Sequence, residues 1–260
     1  MKIFDSHCHL DDRSFARDLR EVLNRAADAG IIRMMTIGVN SQTSARAVSL
    51  AKSHAEIYAS VGIHPHDVAS CSESTLQDLV ALAKSHQVRA WGEIGLDFNR
   101  MYSPRKDQEK WFARQLEIAA DLGLPLIFHE RDSNGRFLEM LKNQGPPALN
   151  GVVHCFSGNQ GELEKYLALG LYIGITGIVT IQSRGAQLRQ MIPAIPADRL
   201  LVETDAPYLV PAPEKNSIRR NEPAFVKSVL LRVAEVRDED PERLADTIWN
   251  NTCRLYRIDA

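Results

Sequence analysis

The sequence predicts an α/β fold, a single-domain TIM (β/α)8 barrel spanning residues 1–260, and three observations carry that expectation. Eight short apolar runs alternate with amphipathic stretches along nearly the whole chain. The length of 260 residues is close to the ~250 that eight strand–helix units need. No Gly-x-Gly-x-x-Gly turn follows the first apolar run, which argues against an open doubly wound sheet. No linker, low-complexity tract or internal repeat divides the chain.

The first run, Lys2–Ser6, leads into Asp5-Ser6-His7-Cys8-His9-Leu10. Side chains alternate between faces in an extended chain, so His7 and His9 share a face and Cys8 takes the other. The remaining strand candidates are Arg33–Gly38, Ile57–Val61, Ala90–Ile94, Pro125–His129, Gly151–His154, Leu171–Thr176 and Leu200–Thr204. Most are continuously apolar, as parallel strands covered on both faces should be. Phe15–Ala29, Ser41–His54 and Ser72–Ser85 read as amphipathic helices. Pro104–Leu122 is the clearest helix, with Trp111, Gln115, Ile118 and Leu122 at helical spacing behind a proline suited to a first turn. Gly123 ends it and Pro125 opens the next strand. Glu222–Tyr256 reads as two helices parted by Asp238-Glu239-Asp240-Pro241.

Hydrophobic residues make up 44% and charged residues 25%, a balance that fits a soluble globular protein. No run is long enough for a membrane span, and Met1 leads into the first strand with no signal peptide, so no membrane partner is expected. The four cysteines are scattered with no Cys-x-x-Cys pair, which suits free thiols in a reducing cytoplasm. Net charge is −2, so no global field draws the protein onto nucleic acid. Any grip on a phosphate polymer must come from local basic loops and metal ions.

The residues able to bind metal collect at the carboxyl ends of the strand candidates, where active sites of this barrel lie. His7 and His9 end the first, His64 and His66 follow the third, and Glu93 ends the fourth. His129 ends the fifth, His154 the sixth and Asp205 the eighth, whereas His54 and His86 lie in helical stretches and are left out. Two divalent ions divide this set, His7, His9 and Asp205 holding one and His129 and His154 the other. Glu93 is the natural bridge, because a carboxylate has two oxygens. Two ions roughly 3.5–4 Å apart can share a water and acidify it toward neutrality. The mixed nitrogen and oxygen shell suits Zn²⁺, Mn²⁺ or Fe²⁺, and Mg²⁺ stays open.

Taken together and in order, DSHCHL, GIHPH, GEIGLDFNR, HCFSG, YIGITGIVT and LLVETDAPYL resemble the TatD family of metal-dependent deoxyribonucleases, from Asp5 to about Tyr256. The resemblance implies a barrel of the metal-dependent hydrolase superfamily that trims DNA from the 3′ end with divalent metal. It carries over His7, His9, Glu93, His129, His154 and Asp205 as ligands, His64 as a pocket residue near the substrate phosphate, and Glu203 as an acid near the metals. Single-stranded DNA 3′ ends are the expected substrate, and the oligomeric state is open, a monomer being one option. The expected chemistry is phosphodiester hydrolysis with Glu93, Asp205 and Glu203 as catalytic acids. Asp205 would take the proton from the attacking water, or Glu203, two residues earlier on the same face, would orient it. Arg131, Arg219 and Arg220 would hold phosphates, with Tyr102, Phe156 and Tyr208 available to stack on bases. The alternatives are a deacylase for D-aminoacyl-tRNA, an amidohydrolase or deaminase acting on a small cyclic amide or base, and a non-enzymatic metal-binding adaptor. Many amidohydrolases carry a carbamylated lysine where this chain has Glu93, and a structural metal site needs no surplus His64 or Glu203.

Overall fold

Each apolar run becomes a strand. The computed structural model describes residues 1–146 and 149–260. In it, β1 (Ile3–Cys8), β2 (Ile31–Thr36), β3 (Ile57–Val61), β4 (Val88–Asp97), β5 (Leu126–Arg131), β6 (Gly151–Val153), β7 (Tyr172–Ile175) and β8 (Leu200–Val202) form one sheet in chain order. The pairs β1–β2, β3–β4, β4–β5, β5–β6 and β7–β8 are parallel. Helices α1 (Leu19–Asp28), α2 (Ser41–Ser53), α3 (Glu73–Ala83), α4 (Arg105–Leu122), α5 (Arg136–Gln144), α6 (Gln160–Ala168) and α7 (Ala186–Met191) alternate with them. Two more, α8 (Val226–Arg237) and α9 (Pro241–Tyr256), end the chain. This is the (β/α)8 class. The expected helix over Phe15–Ala29 is shorter, because a 3₁₀ turn at Arg13–Phe15 precedes α1. Strand β4 is longer than its apolar core and carries both Glu93 and Asp97.

The chain folds as two compact units, residues 1–36 with 173–260, and residues 37–172. In the first, α9 pins β1. Phe4 is fully buried with its ring 6.1 Å from Trp249 and 6.1 Å from Tyr256. Tyr256 Oη also donates to the Ser6 carbonyl at 3.0 Å. The other edge of β1 meets the chain leaving β8. Asp205 N donates to His7 O at 2.9 Å and His9 N to Ala206 O at 2.7 Å. The sequence break between α8 and α9 has a clear cause: Asp238 turns left-handed at φ 52°, and Asp240 caps the next helix by accepting from Arg243 N at 2.9 Å.

In the second unit α4 does more than cover the sheet. Gly123 closes it in the left-handed region at φ 63°, as the sequence implied. Its buried face carries Gln108 and Gln115, two turns apart, among Trp111, Phe112 and Leu116. Gln115 Oε1 accepts from Ile63 N at 2.8 Å and its Nε2 donates to Ile63 O at 3.0 Å, one residue before His64. Gln108 makes the same clasp on Asp97, accepting from its N at 2.8 Å and donating to its O at 3.1 Å. Gln108 Nε2 also donates to Ser103 O at 2.9 Å, so removing Gln115 takes the partner from two backbone groups and removing Gln108 from three, at about 1–3 kcal/mol for each left unpaired. Phe112, Phe128 and Phe137 pack together, two of the three ring pairs 5.3 Å apart, and so fix β5 just before His129.

Candidate metal centre

In the first unit, His7, His9 and Asp205 converge as the alternation argument requires. His7 is fully buried and its ring lies 5.2 Å from that of His9. Asp205 Oδ1 is 3.7 Å from His7 Nε2 and 3.3 Å from His9 Nε2. Cys8 faces the other way, its Sγ donating to Met35 O of β2 at 3.3 Å. Cys8→Ser should therefore leave metal content at the wild-type value, and elemental analysis showing one equivalent lost would overturn the alternation.

Glu203 lies fully buried beside this group, 3.1 Å from Ser6 Oγ, whose one proton it shares with Val202 O at 3.0 Å, so Ser6, which sequence alone left without a role, helps to hold that carboxylate. Gly174 of β7 makes the room: a Cβ there would stand 2.6 Å from Glu203 Oε2. Asp5 is also buried and accepts from Thr204 N at 2.9 Å and Thr204 Oγ1 at 2.5 Å. Burial pushes its carboxyl up to about 8 against those hydrogen bonds.

The second unit centres on Glu93, 2% exposed. Its Oε1 faces His129 Nδ1 at 2.8 Å, His64 Nε2 at 3.3 Å and His154 Nε2 at 3.6 Å. Glu93, His129 and His154 each place one ligand atom within 4.8 Å of the others. Burial opposes charge on Glu93, yet His64, His154 and His129 together hold it well below the usual carboxylate range. Gly95 permits the close approach of β4 to β5, because a Cβ there would overlap the His129 carbonyl oxygen.

His64 differs from its neighbours. Its Nδ1 accepts from the His66 amide at 3.0 Å, so the hydrogen-bond network assigns the proton to Nε2. A neutral imidazole so held has no lone pair for an ion on the Glu93 side. That keeps His64 Nε2 from serving as a ligand in this tautomer, and tells against His64, His66 and His129 as a metal triad despite their proximity. Burial pushes His64 down to about 4, so it stays neutral at pH 7.

Sequence reasoning missed Asp97. It is fully buried at the end of β4, 2.6 Å from His66 Nε2 and 3.3 Å from His129 Nε2. The available signal was an acid four residues past Glu93 in one strand, a spacing that returns to the same face. His129 therefore stands between two carboxylates, Nδ1 toward Glu93 and Nε2 toward Asp97. Burial opposes its charge, but the hydrogen bonds to Asp97 and Glu93 prevail and push it up to about 9. Without metal, that charge adds stability that is complete below about pH 6.5 and fades as pH rises through about 9. When Nδ1 serves as a ligand, Asp97 fixes the tautomer by accepting from Nε2. Asp97→Asn should weaken metal binding about 10–100-fold and lower the His129 titration midpoint of metal-free protein, with Asp97→Glu restoring both. Unchanged affinity and midpoint would remove Asp97 from this role.

The expected substrate residues fall out unevenly. Arg131 ends β5 and Arg219 is exposed on the loop after β8. Arg220 is committed elsewhere, donating to Asp18 at 2.8 and 2.6 Å and to Ser14 O at 2.6 Å, with its guanidinium 4.8 Å from the Phe15 ring centre. Tyr102 and Tyr208 are exposed, against His66 and His9 respectively. Phe156 is only 3% exposed and packs on Tyr166, so the expectation that it stacks on a base is corrected: it belongs to the core.

An α/β barrel whose strand ends gather imidazoles and carboxylates into ion-sized clusters belongs to the metal-dependent hydrolase class. The chain is a member of the TatD related DNase family, whose sequence profile matches residues 4–257. It is 43% identical over 258 residues to the 3′-5′ ssDNA/RNA exonuclease TatD of Citrobacter koseri, covering 98% of this chain and 99% of that one. The protein of that name from Escherichia coli K12 is 41% identical with the same coverage of both chains. The crystal structure of the TatD homologue YJJV from Escherichia coli superposes with a TM-score of 0.91 at 32% identity, covering 99% of this chain and 98% of that one.

Proposed function

We propose that this protein is a metal-dependent nuclease that hydrolyses phosphodiester bonds of DNA as a 3′–5′ exonuclease acting on single-stranded ends. The observation that carries the reading is the donor set around Glu93, a buried carboxylate facing imidazole nitrogens of His129 and His154 at the ends of β5 and β6. Its relatives of similar length are named as 3′-5′ ssDNA/RNA exonucleases, which supports the same polarity here. We assign one divalent ion to His7, His9 and Asp205 and a second to His129 and His154, with Glu93 as the shared carboxylate. Nitrogen and oxygen together favour Zn²⁺ or Mn²⁺ by ligand type, with Mg²⁺ the weaker fit. When bound, such a pair supplies Lewis-acid stabilisation of phosphate charge and acidifies water.

The chain's own groups then have distinct tasks. Asp205 accepts the proton of the attacking water at Oδ2, since Oδ1 is the atom turned to His7 and His9. Glu203, locked by Ser6, orients that water. His64 donates from Nε2 to a non-bridging phosphate oxygen, its tautomer set by the His66 amide. Arg131 and Arg219 contact flanking phosphates, and Arg220 anchors the loop that presents Arg219 through its pair with Asp18. We read residues 1–260 as one catalytic domain working in the cytoplasm, where its four free thiols remain reduced.

The test is 5′-labelled single-stranded DNA with metal-replete protein, beside D-aminoacyl-tRNA and a panel of cyclic amides. A ladder shortening from the 3′ end and abolished by chelator is expected. Turnover of the tRNA ester or an amide, with DNA left intact, would overturn the proposal.

A further inference from the structure

The loops after β7 and β8 line a cavity of about 240 Å³, of whose lining residues only Arg219 has been given a task above. Its walls are aliphatic, formed by Ile178, Ile181, Leu209, Val210 and Ile218. Three cations, Arg184, Lys215 and Arg219, complete the lining, and no carboxylate joins them. All three are exposed and none makes an ion pair among the described residues. Neighbouring arginines behave differently. Arg220 is paired with Asp18, and Arg189 donates to the carbonyls of Val179, Ile181 and Gln182, which stiffens the wall that carries Ile181. The two loops are also tied to each other, Ala212 N donating to Thr180 Oγ1 at 2.8 Å.

An apolar slot flanked by unpaired cations matches one ligand chemistry well, a flat ring carried on a chain of phosphates. The volume lies below the ~300–1,000 Å³ of pockets for drug-sized molecules, so it suits a single ring system. Leu209 is four residues past Asp205, hence within about 14 Å of it along the chain, a few nucleotides from the proposed chemistry. Resting on the nuclease reading above, we propose that this cavity is a subsite for one unstacked base of the single strand, its phosphates held by Arg184, Lys215 and Arg219. With its three cations turned to phosphates, the lining has no further side-chain hydrogen-bonding group to read a base edge, so the subsite accepts any base and selects for single strands over duplex.

The test uses fluorescence anisotropy of a labelled ten-nucleotide single strand in chelator, so that nothing is hydrolysed, together with the same strand carrying one abasic position moved along its length. With wild-type protein, one abasic position should weaken binding about tenfold, the others little. Ile181→Ser should weaken the intact strand to a similar degree and show no further loss with that abasic strand. The double variant Arg184→Ala with Lys215→Ala should reduce the salt slope by about 1.4, two phosphate contacts at roughly 0.7 each. Additive losses from Ile181→Ser and the abasic position would overturn the subsite, and so would an abasic series without a preferred position. If metal-replete wild type shortens DNA while these results fail, only the subsite falls. If it cleaves no DNA at all, the nuclease reading falls with it.

Discussion

Glu93→Gln should reduce nuclease activity by a factor on the order of 10³ or more, the largest loss expected from one substitution. The change keeps the shape of a side chain that is almost fully buried and removes only its charge. That charge is held strongly in place, since three imidazole nitrogens lie within 3.6 Å of one oxygen. In the two-ion arrangement proposed above, the same carboxylate offsets part of four positive charges. Its neutral amide leaves the ions to repel and one to depart. Losing either the acidified water or the stabilised phosphate charge removes several kcal/mol of transition-state stabilisation, and each ~1.4 kcal/mol is tenfold. Metal analysis of folded Glu93→Gln should find about one equivalent in place of two. Two ions retained, with activity within a few fold of wild type, would sink the shared-carboxylate assignment.

Asp205→Asn should cost about 10²–10⁴ in kcat, the range for loss of a positioned general base. Its Oδ1 faces His7 and His9, and its backbone N is anchored to His7 O, so the amide should keep the same place. The loss should fall mainly on kcat, because Asn retains the contact geometry but cannot accept the proton as a carboxylate does. Measuring metal stoichiometry at saturation separates ligand loss from base loss. A variant that binds its full metal complement and keeps kcat within about threefold of wild type would move the proton to another group, Glu203 being the first to examine.

Much of this molecule is legible locally. Continuous apolar runs such as Leu200–Val202 place strands because a strand covered on both faces has little use for polar residues. His7 and His9 share a face because alternation is a property of the extended backbone itself, and Cys8 turns away for the same reason. The helix over 105–122 is announced by Pro104, Gly123 and its apolar stripe. That stripe also misleads: Gln108 and Gln115 look like gaps in an apolar face, and only packing reveals that each clasps the backbone beside a site residue.

The sequence by itself determined the strand–helix alternation, the face shared by His7 and His9, and the chemical type of the candidate ligands, because all three follow from residues within a few positions of each other. The tertiary structure alone decided which charges meet. Arg219 and Arg220 are indistinguishable neighbours in the sequence, yet Arg220 finds Asp18 from 202 positions away while Arg219 stays available at the cavity. Ser6 reaches Glu203 across 197 positions, and Asp97 becomes the support of His129 only once β4 and β5 lie side by side. Such contacts depend on distance through the fold rather than along the chain, and hydrogen bonds and ion pairs act only over a few ångströms.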